Sequence, residues 1–316
     1  MKNHRMNILA AALLSLSAAM LSAPVSAFDL GGLVDKKTLD QTARDKLGIK
    51  SDASNPSDAA IPLTGNPSDA DEEKLGREVA GRLLGAAPLV NDAKLQQYVN
   101  KVGRYVAAQS ARPDLNWTFG VIESTSVNAF AAPGGYVFIT RGLYASLKSE
   151  AELAGVLGHE IGHVNARHHV RLMQKQRALS MGQEFLNKKA GDNNTVKALV
   201  GNGAEIFSRS LDKDSEFEAD RLGVYYATKS GYDTYGLPAA LDRLNAAGDS
   251  DAVSLLYKTH PLPSERLAAL DAALGTQYDA VKPGLTLEKR LVKLPPLPAA
   301  KPATSVAPAV APAAKK

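Results

Sequence analysis

The chain has 316 residues, with 37 Lys and Arg against 33 Asp and Glu, six histidines and no cysteine. The missing cysteines exclude disulfides, thiolate metal ligands and a lipid-modified cysteine. A formal charge of +4 makes no case for a nucleic-acid partner.

In chain order, residues 1–27 read as a secretory signal. Lys2 and Arg5 precede an apolar run from Ile8 to Leu21, and Val25-Ser26-Ala27 offers a small-residue cleavage site. The run is short for a bilayer span and no other long apolar stretch follows, so the cleaved chain is expected to carry no membrane span. Residues 28–70 are polar, with Asn-Pro-Ser-Asp at 55–58 and again at 66–69 as turn chemistry. Ser68 or Asp69 is placed to cap a helix through Glu78, Val79 and Leu83 to a stop at Gly85. Asn91 or Asp92 opens a second helix, with Leu95, Tyr98, Val99, Val102 and Val106 at helical spacing. Trp117 to Ile122 reads as a strand.

Pro133-Gly134-Gly135 is a tight turn leading into another strand, Tyr136 to Thr140. If that strand is a sheet edge, its backbone can pair with an extended peptide, and Asn128, Gly135, Tyr136, Val137 and Phe138 become substrate-binding candidates. An ordinary internal hairpin is the alternative. Ser149 and Glu152 form a capping box for the next helix, which carries Leu153, Val156 and Leu157 and then His159-Glu160-Ile161-Gly162-His163. Residues four apart share a helix face, so the two imidazoles aim at one point where a zinc ion can sit. Glu160 is offset enough to reach water there rather than the ion. Gly155, Gly158 and Gly162 each cost about 1 kcal/mol relative to alanine in a helix, which implies close backbone approach by neighbouring elements.

A catalytic zinc takes three protein ligands and keeps one position open. His169 is six residues past His163, but Ala166 between them is a strong helix former. In a continuing helix His169 points about 240° away, so His168 and His169 read as helix-end residues or residues behind the ligands. In Ser215–Gly223, Glu216 and Asp220 share a face while Glu218 points elsewhere. Glu216 is then the favoured ligand, and Asp220 can accept a hydrogen bond from a ligating imidazole. Residues 171–207, with a break at Asp192-Asn193-Asn194, read as a surface hairpin, with a lid as the alternative. From about Pro295 the chain is nearly all Pro, Ala, Lys, Ser, Thr and Val, too poor in apolar surface to order itself.

Together these motifs resemble the gluzincin zinc metallopeptidases that include the HtpX heat-shock proteases and the CAAX prenyl proteases, and most of all their soluble periplasmic BepA-like and LoiP-like members. The likeness spans roughly residues 70–275. It rests on Asn128 through Gly142, the helix from Glu152 to His168, Glu216 to Gly223, and Thr259-His260-Pro261 with Glu265-Arg266. It implies an α+β, mostly helical, zincin-type metallopeptidase domain with a small antiparallel sheet beside the HExxH helix. It also implies one Zn2+ per chain held by His159, His163 and Glu216, with Glu160 as catalytic base and Asp220 behind the ligands. His260 and Arg266 are expected near the metal, in transition-state stabilisation or gating. The approach through Ser208–Ser215 is longer than the family's usual one, and the lipid-modified cysteine of LoiP-like members is missing.

The chain is thus expected to divide into a signal (1–27), a polar segment (28–70), a peptidase domain (71–278) and an Ala/Pro-rich tail (279–316). The implied function is a periplasmic endopeptidase acting on unfolded or misassembled envelope proteins, with the outer-membrane assembly machinery as partner. The alternative is a metal-binding, chaperone-like or latent protease that acts mainly by binding outer-membrane proteins.

Overall fold

The structure, a computed structural model, describes residues 65–190, 211–248, 250–276 and 281–297. The expected signal segment, the polar segment up to 64, the Asp192-Asn193-Asn194 break and the tail beyond 297 lie outside the described residues. In order come α1 (Asp69–Ala86), α2 (Ala93–Ala107), β1 (Thr118–Ile122), β2 (Ala129–Ala132), β3 (Tyr136–Thr140), α3 (Arg141–Ser146), α4 (Glu150–Asn165), α5 (His168–Ala190), α6 (Lys213–Lys229), α7 (Gly236–Ala246), α8 (Ser254–Thr259) and α9 (Pro263–Leu274). Among the described residues, no helix is long and apolar enough to cross a membrane.

Helix starts follow local chemistry. Ser68 accepts from Asp71 N, Asp92 from Leu95 N and Ser149 from Glu152 N, each satisfying an N–H that the first helical turn leaves unpaired. At α4 the capping box is modified, because the Glu152 carboxylate takes the backbone N–H of Lys148 at 2.9 Å. Leu95, Val99, Val102 and Val106 turn one face of α2 into the core. α4 is buried almost throughout, from Glu150 to Val164.

The sheet has the order β1-β3-β2, with β1 parallel and β2 antiparallel to β3. It is therefore mixed, not antiparallel, because β3 comes back from the Pro133–Gly135 turn into the gap beside β1. That placement corrects the substrate-edge expectation for Tyr136, Val137 and Phe138. β3 is the central strand, its backbone is paired on both sides, and β1 and β2 are the edges.

Two features bring the motifs together. α4 and α6 meet backbone to backbone through a glycine seam. A Cβ on Gly158 would stand 2.8 Å from Gly223 O, one on Gly223 2.6 Å from His159 N, and one on Gly162 3.0 Å from Ala219 O. Gly155 admits α7 in the same way, with Leu237 N at 2.6 Å. The glycines that cost helix propensity thus set the spacing of three helices. Secondly, α4 stops at Asn165, although Ala166 is a good helix former. Arg167 adopts φ 55°, and α5 begins at His168 in a new direction. Glu72, 1 % exposed, holds the bend by accepting from Arg167 Nε at 2.5 Å and Arg112 Nη1 at 2.9 Å, while Arg112 also donates to Val164 O.

Residues 281–297 form a strap across the core, with Leu287, Leu291, Val292 and Leu294 packed against it. Its backbone bonds include Ala151 N to Thr286 O and Leu285 N to Gly231 O. Tyr144 Oη donates to Val292 O and Arg141 Nη1 to Pro295 O, each at 2.7 Å.

Candidate active site

His159 and His163 project from α4 with their Nε2 atoms 3.0 Å apart. Glu216, 0 % exposed on α6, comes up between them, with Oε1 3.5 Å from His163 Nε2 and Oε2 3.7 Å from His159 Nε2. The C-cap of α8 brings in His260, whose Nδ1 lies 2.7 Å from Glu216 Oε2. One ligand atom from each of His159, His163, Glu216 and His260 falls within 4.8 Å of all the others.

Tautomer logic tests whether this donor set suits a metal. Asp220 Oδ1 stands 2.8 Å from His159 Nδ1. Asp220 can only accept, so the His159 proton belongs on Nδ1 and the Nε2 lone pair points inward. His163 Nδ1 is likewise engaged outward, with His168. Two imidazole lone pairs thus face each other beside a carboxylate, and Glu216 Oε1 is buried without a hydrogen-bond partner. Such an array is repulsive unless a cation lies between its members, so these residues fit a divalent metal that takes nitrogen and oxygen ligands.

Charge at the site follows from burial and its neighbours. Burial would raise the Glu216 carboxyl, but His260, His159 and Arg266 outweigh it and hold it below its usual range. Burial dominates at Glu160 and raises it despite the same cations. Burial also holds His163 well below the ordinary imidazole value, which keeps it neutral and ligand-competent. Glu160 lines a cavity of about 30 Å³ with His159, His260, Arg266, Ala129 and Leu256 among its walls. That is room for a water-sized group.

Arg266, on α9, is 4 % exposed and committed to Asp220, with Nε donating to Oδ2 at 2.9 Å and Nη2 to Oδ1 at 2.5 Å. Its Nη2 also stands 3.1 Å from His159 Nδ1. The structure therefore puts Arg266 behind His159, bracing Asp220. Asn128 is fully buried just before β2, where its backbone bonds Thr140 and its Nδ2 has no partner. Gly135 lies in the turn against Trp117 with φ 98°.

Two residues gain contacts here that no spacing in the sequence signals. His168 Nδ1 is 2.7 Å from His163 Nδ1, and Glu218 Oε2 is 3.3 Å from His168 Nε2. Both contacts depend on the bend at Arg167. His169 is not in the four-donor group, and its ring centroid is 5.8 Å from that of His163.

Residues 93–274 match Peptidase family M48. Among curated proteins, the chain is 33% identical over 207 residues to the beta-barrel assembly-enhancing protease of Escherichia coli (strain K12), covering 62% of this chain and 42% of the relative. It is 30% identical over 186 residues to the mitochondrial metalloendopeptidase OMA1 of Arabidopsis thaliana, covering 58% of this chain and 37% of that one. To metalloprotease YcaL of Escherichia coli (strain K12) it is 27% identical over 206 residues, 63% of this chain and 78% of the relative. The chain thus spans about two fifths of the length of the assembly-enhancing protease it matches.

Proposed function

Because the chain belongs to peptidase family M48, we propose that it is a zinc-dependent endopeptidase whose ion is held by His159, His163 and Glu216. The observation that carries this reading is the buried convergence of two inward Nε2 lone pairs and an unpartnered Glu216 oxygen. Two imidazoles and a carboxylate are one of the donor sets that catalytic zinc sites use. Asp220 orients His159 through Nδ1, and Arg266 keeps Asp220 in place and ionised against its burial.

When bound, the zinc supplies Lewis acidity, polarising a peptide carbonyl and acidifying water. Glu160 takes the proton from the attacking water and delivers it to the leaving amine. Its burial-raised carboxyl is a stronger base than a solvated one and holds the proton long enough to hand it on. His260 is the one member of the group on a short helix end rather than on α4 or α6. Freed from Glu216, it is a candidate donor to the oxyanion, since it lines the same cavity as Glu160. Its place among the four converging donors also favours a second reading, a latent protease in which His260 would serve as a fourth ligand until substrate displaces it.

The expected signal segment supports a periplasmic location. There, the relatives named for beta-barrel assembly support unfolded or misassembled envelope proteins as substrates and the outer-membrane assembly machinery as partner. The test compares mature wild type with Glu160→Gln for cleavage of casein, with zinc content measured in parallel. Wild type should carry about one zinc and cleave in a chelator-sensitive way, and the variant should keep the zinc and lose cleavage. Zinc in both without cleavage in either favours the latent reading; zinc in neither defeats the metal assignment.

A further inference from the structure

We propose that His168, with Glu218 behind it, is the positioning residue for His163, matching what Asp220 does for His159. The inference rests on the metal reading above but not on protease activity. It begins with protons. His163 turns Nε2 towards His159 and Glu216, so a ligating lone pair must be there and the proton must sit on Nδ1. That Nδ1–H meets His168 Nδ1 at 2.7 Å, an atom that can receive it only as a bare lone pair. The proton of neutral His168 is thereby sent to Nε2, which faces Glu218 Oε2 at 3.3 Å. Glu218 can only accept. Each link forces the next, and the direction of donation runs outward from the ion to the surface.

Both ligating imidazoles are therefore oriented from behind, by different means. His159 meets a buried carboxylate locked by Arg266. His163 meets a neutral ring, itself 1 % exposed, backed by a carboxylate whose side chain is 47 % exposed. The chain can use this partner only because α4 breaks. Arg167 at φ 55° turns the first residue of α5 back onto the ligand helix, and Glu72 and Arg112 hold that turn. Glu218 comes from α6, two residues after the ligand Glu216 and on the side facing α5. A single helix thus provides a ligand for the ion and the outer support for another ligand.

The test uses two substitutions of nearly the same shape in the full mature chain. In His168→Asn, the amide oxygen falls where Nδ1 stood and can accept from His163; in His168→Leu, nothing can. Zinc affinity is read by competition with a chromogenic chelator, and the melting temperature is read with and without zinc. His168→Leu should weaken zinc binding by about 10- to 100-fold and shrink the zinc-dependent rise in melting temperature. His168→Asn should stay within about threefold of wild type, and Glu218→Ala should fall between, since its carboxylate is exposed and the bond long. If Leu and Asn weaken binding equally, or neither weakens it, His168 packs but does not orient, and the proposal is overturned while the metal site stands. If wild type binds no zinc, the metal assignment fails and takes this inference with it. A second measurement needs no variant. Nitrogen-15 chemical shifts of the zinc-loaded wild type should report His168 protonated on Nε2 and bare at Nδ1; the opposite tautomer defeats the proposal.

Discussion

Arg266 shows how much of this site lies behind the atoms that would touch a substrate. Its guanidinium satisfies both oxygens of Asp220, and the pair is almost fully buried. Removing one member of such a pair leaves an uncompensated buried charge, at about 3–5 kcal/mol. Arg266→Met should therefore destabilise the metal-free protein by that amount in urea unfolding, whereas an Arg266 that served only the reaction would leave the curve unmoved. A different buried carboxylate, Glu150 at the first position of α4, accepts from Tyr98 Oη and Tyr232 Oη at 2.9 Å each. Burial, then the bond to Glu150, raises both phenols above their usual value. The folded state keeps these protons when the unfolded chain, with tyrosine at about 10, begins to lose them. The stabilisation is therefore complete below about pH 10 and fades as pH rises towards the folded values. Melting temperature should fall steeply above pH 10 in chelator, and less steeply in Glu150→Gln; equal slopes would count against the account.

At the scale of elements, the decisive contact is the seam between α4 and α6. It sets how near Glu216 comes to the imidazoles, and it has no room for a methyl group. Gly158→Ala should push α6 outward, cost about 1–3 kcal/mol as overpacking does, and weaken zinc binding at the same time. Gly81, exposed on α1 with nothing within 4 Å of where a Cβ would stand, is the control. There alanine should add about 0.5–1 kcal/mol through helix propensity alone. Denaturant midpoints and chelator competition on both variants decide the point. The helix starts were readable to within a residue at Ser68 or Asp69 and at Asn91 or Asp92, and outright at Ser149, because capping is a local bond between residues three apart. The bend after Asn165 was not, because Ala166 favours helix and the carboxylate that braces the bend, Glu72, lies about a hundred residues earlier in the chain. The order of the sheet was equally hidden, since a short apolar run such as Tyr136–Thr140 fits an edge strand and a central one alike.

For the whole molecule, the strap from 281 to 297 extends the folded unit past the family match, which ends at 274. Its Leu287, Leu291 and Leu294 pack half-buried against the core, and Arg290 Nε reaches Glu150 Oε2 at 3.3 Å, so it fastens the N-terminal end of α4. Truncation after residue 278 should cost about 3 kcal/mol or more from lost apolar burial and lower the melting temperature by roughly 10 °C. Truncation after 297 should leave it unchanged. Equal melting temperatures for the two would mean that the strap is not part of the cooperative unit.

What the amino-acid sequence determines by itself is the local chemistry of this protein: where the helices start, which two histidines share a face, and which acidic pair stands ready one turn apart. These follow from helical periodicity and short-range hydrogen bonds, which need no knowledge of the rest of the chain. The third dimension decided what those groups meet. It put His260 on Glu216, Arg266 behind Asp220, His168 behind His163, and β3 in the middle of its sheet. Each of these is a long-range packing outcome, set by glycine seams and buried ion pairs between segments that no spacing rule connects.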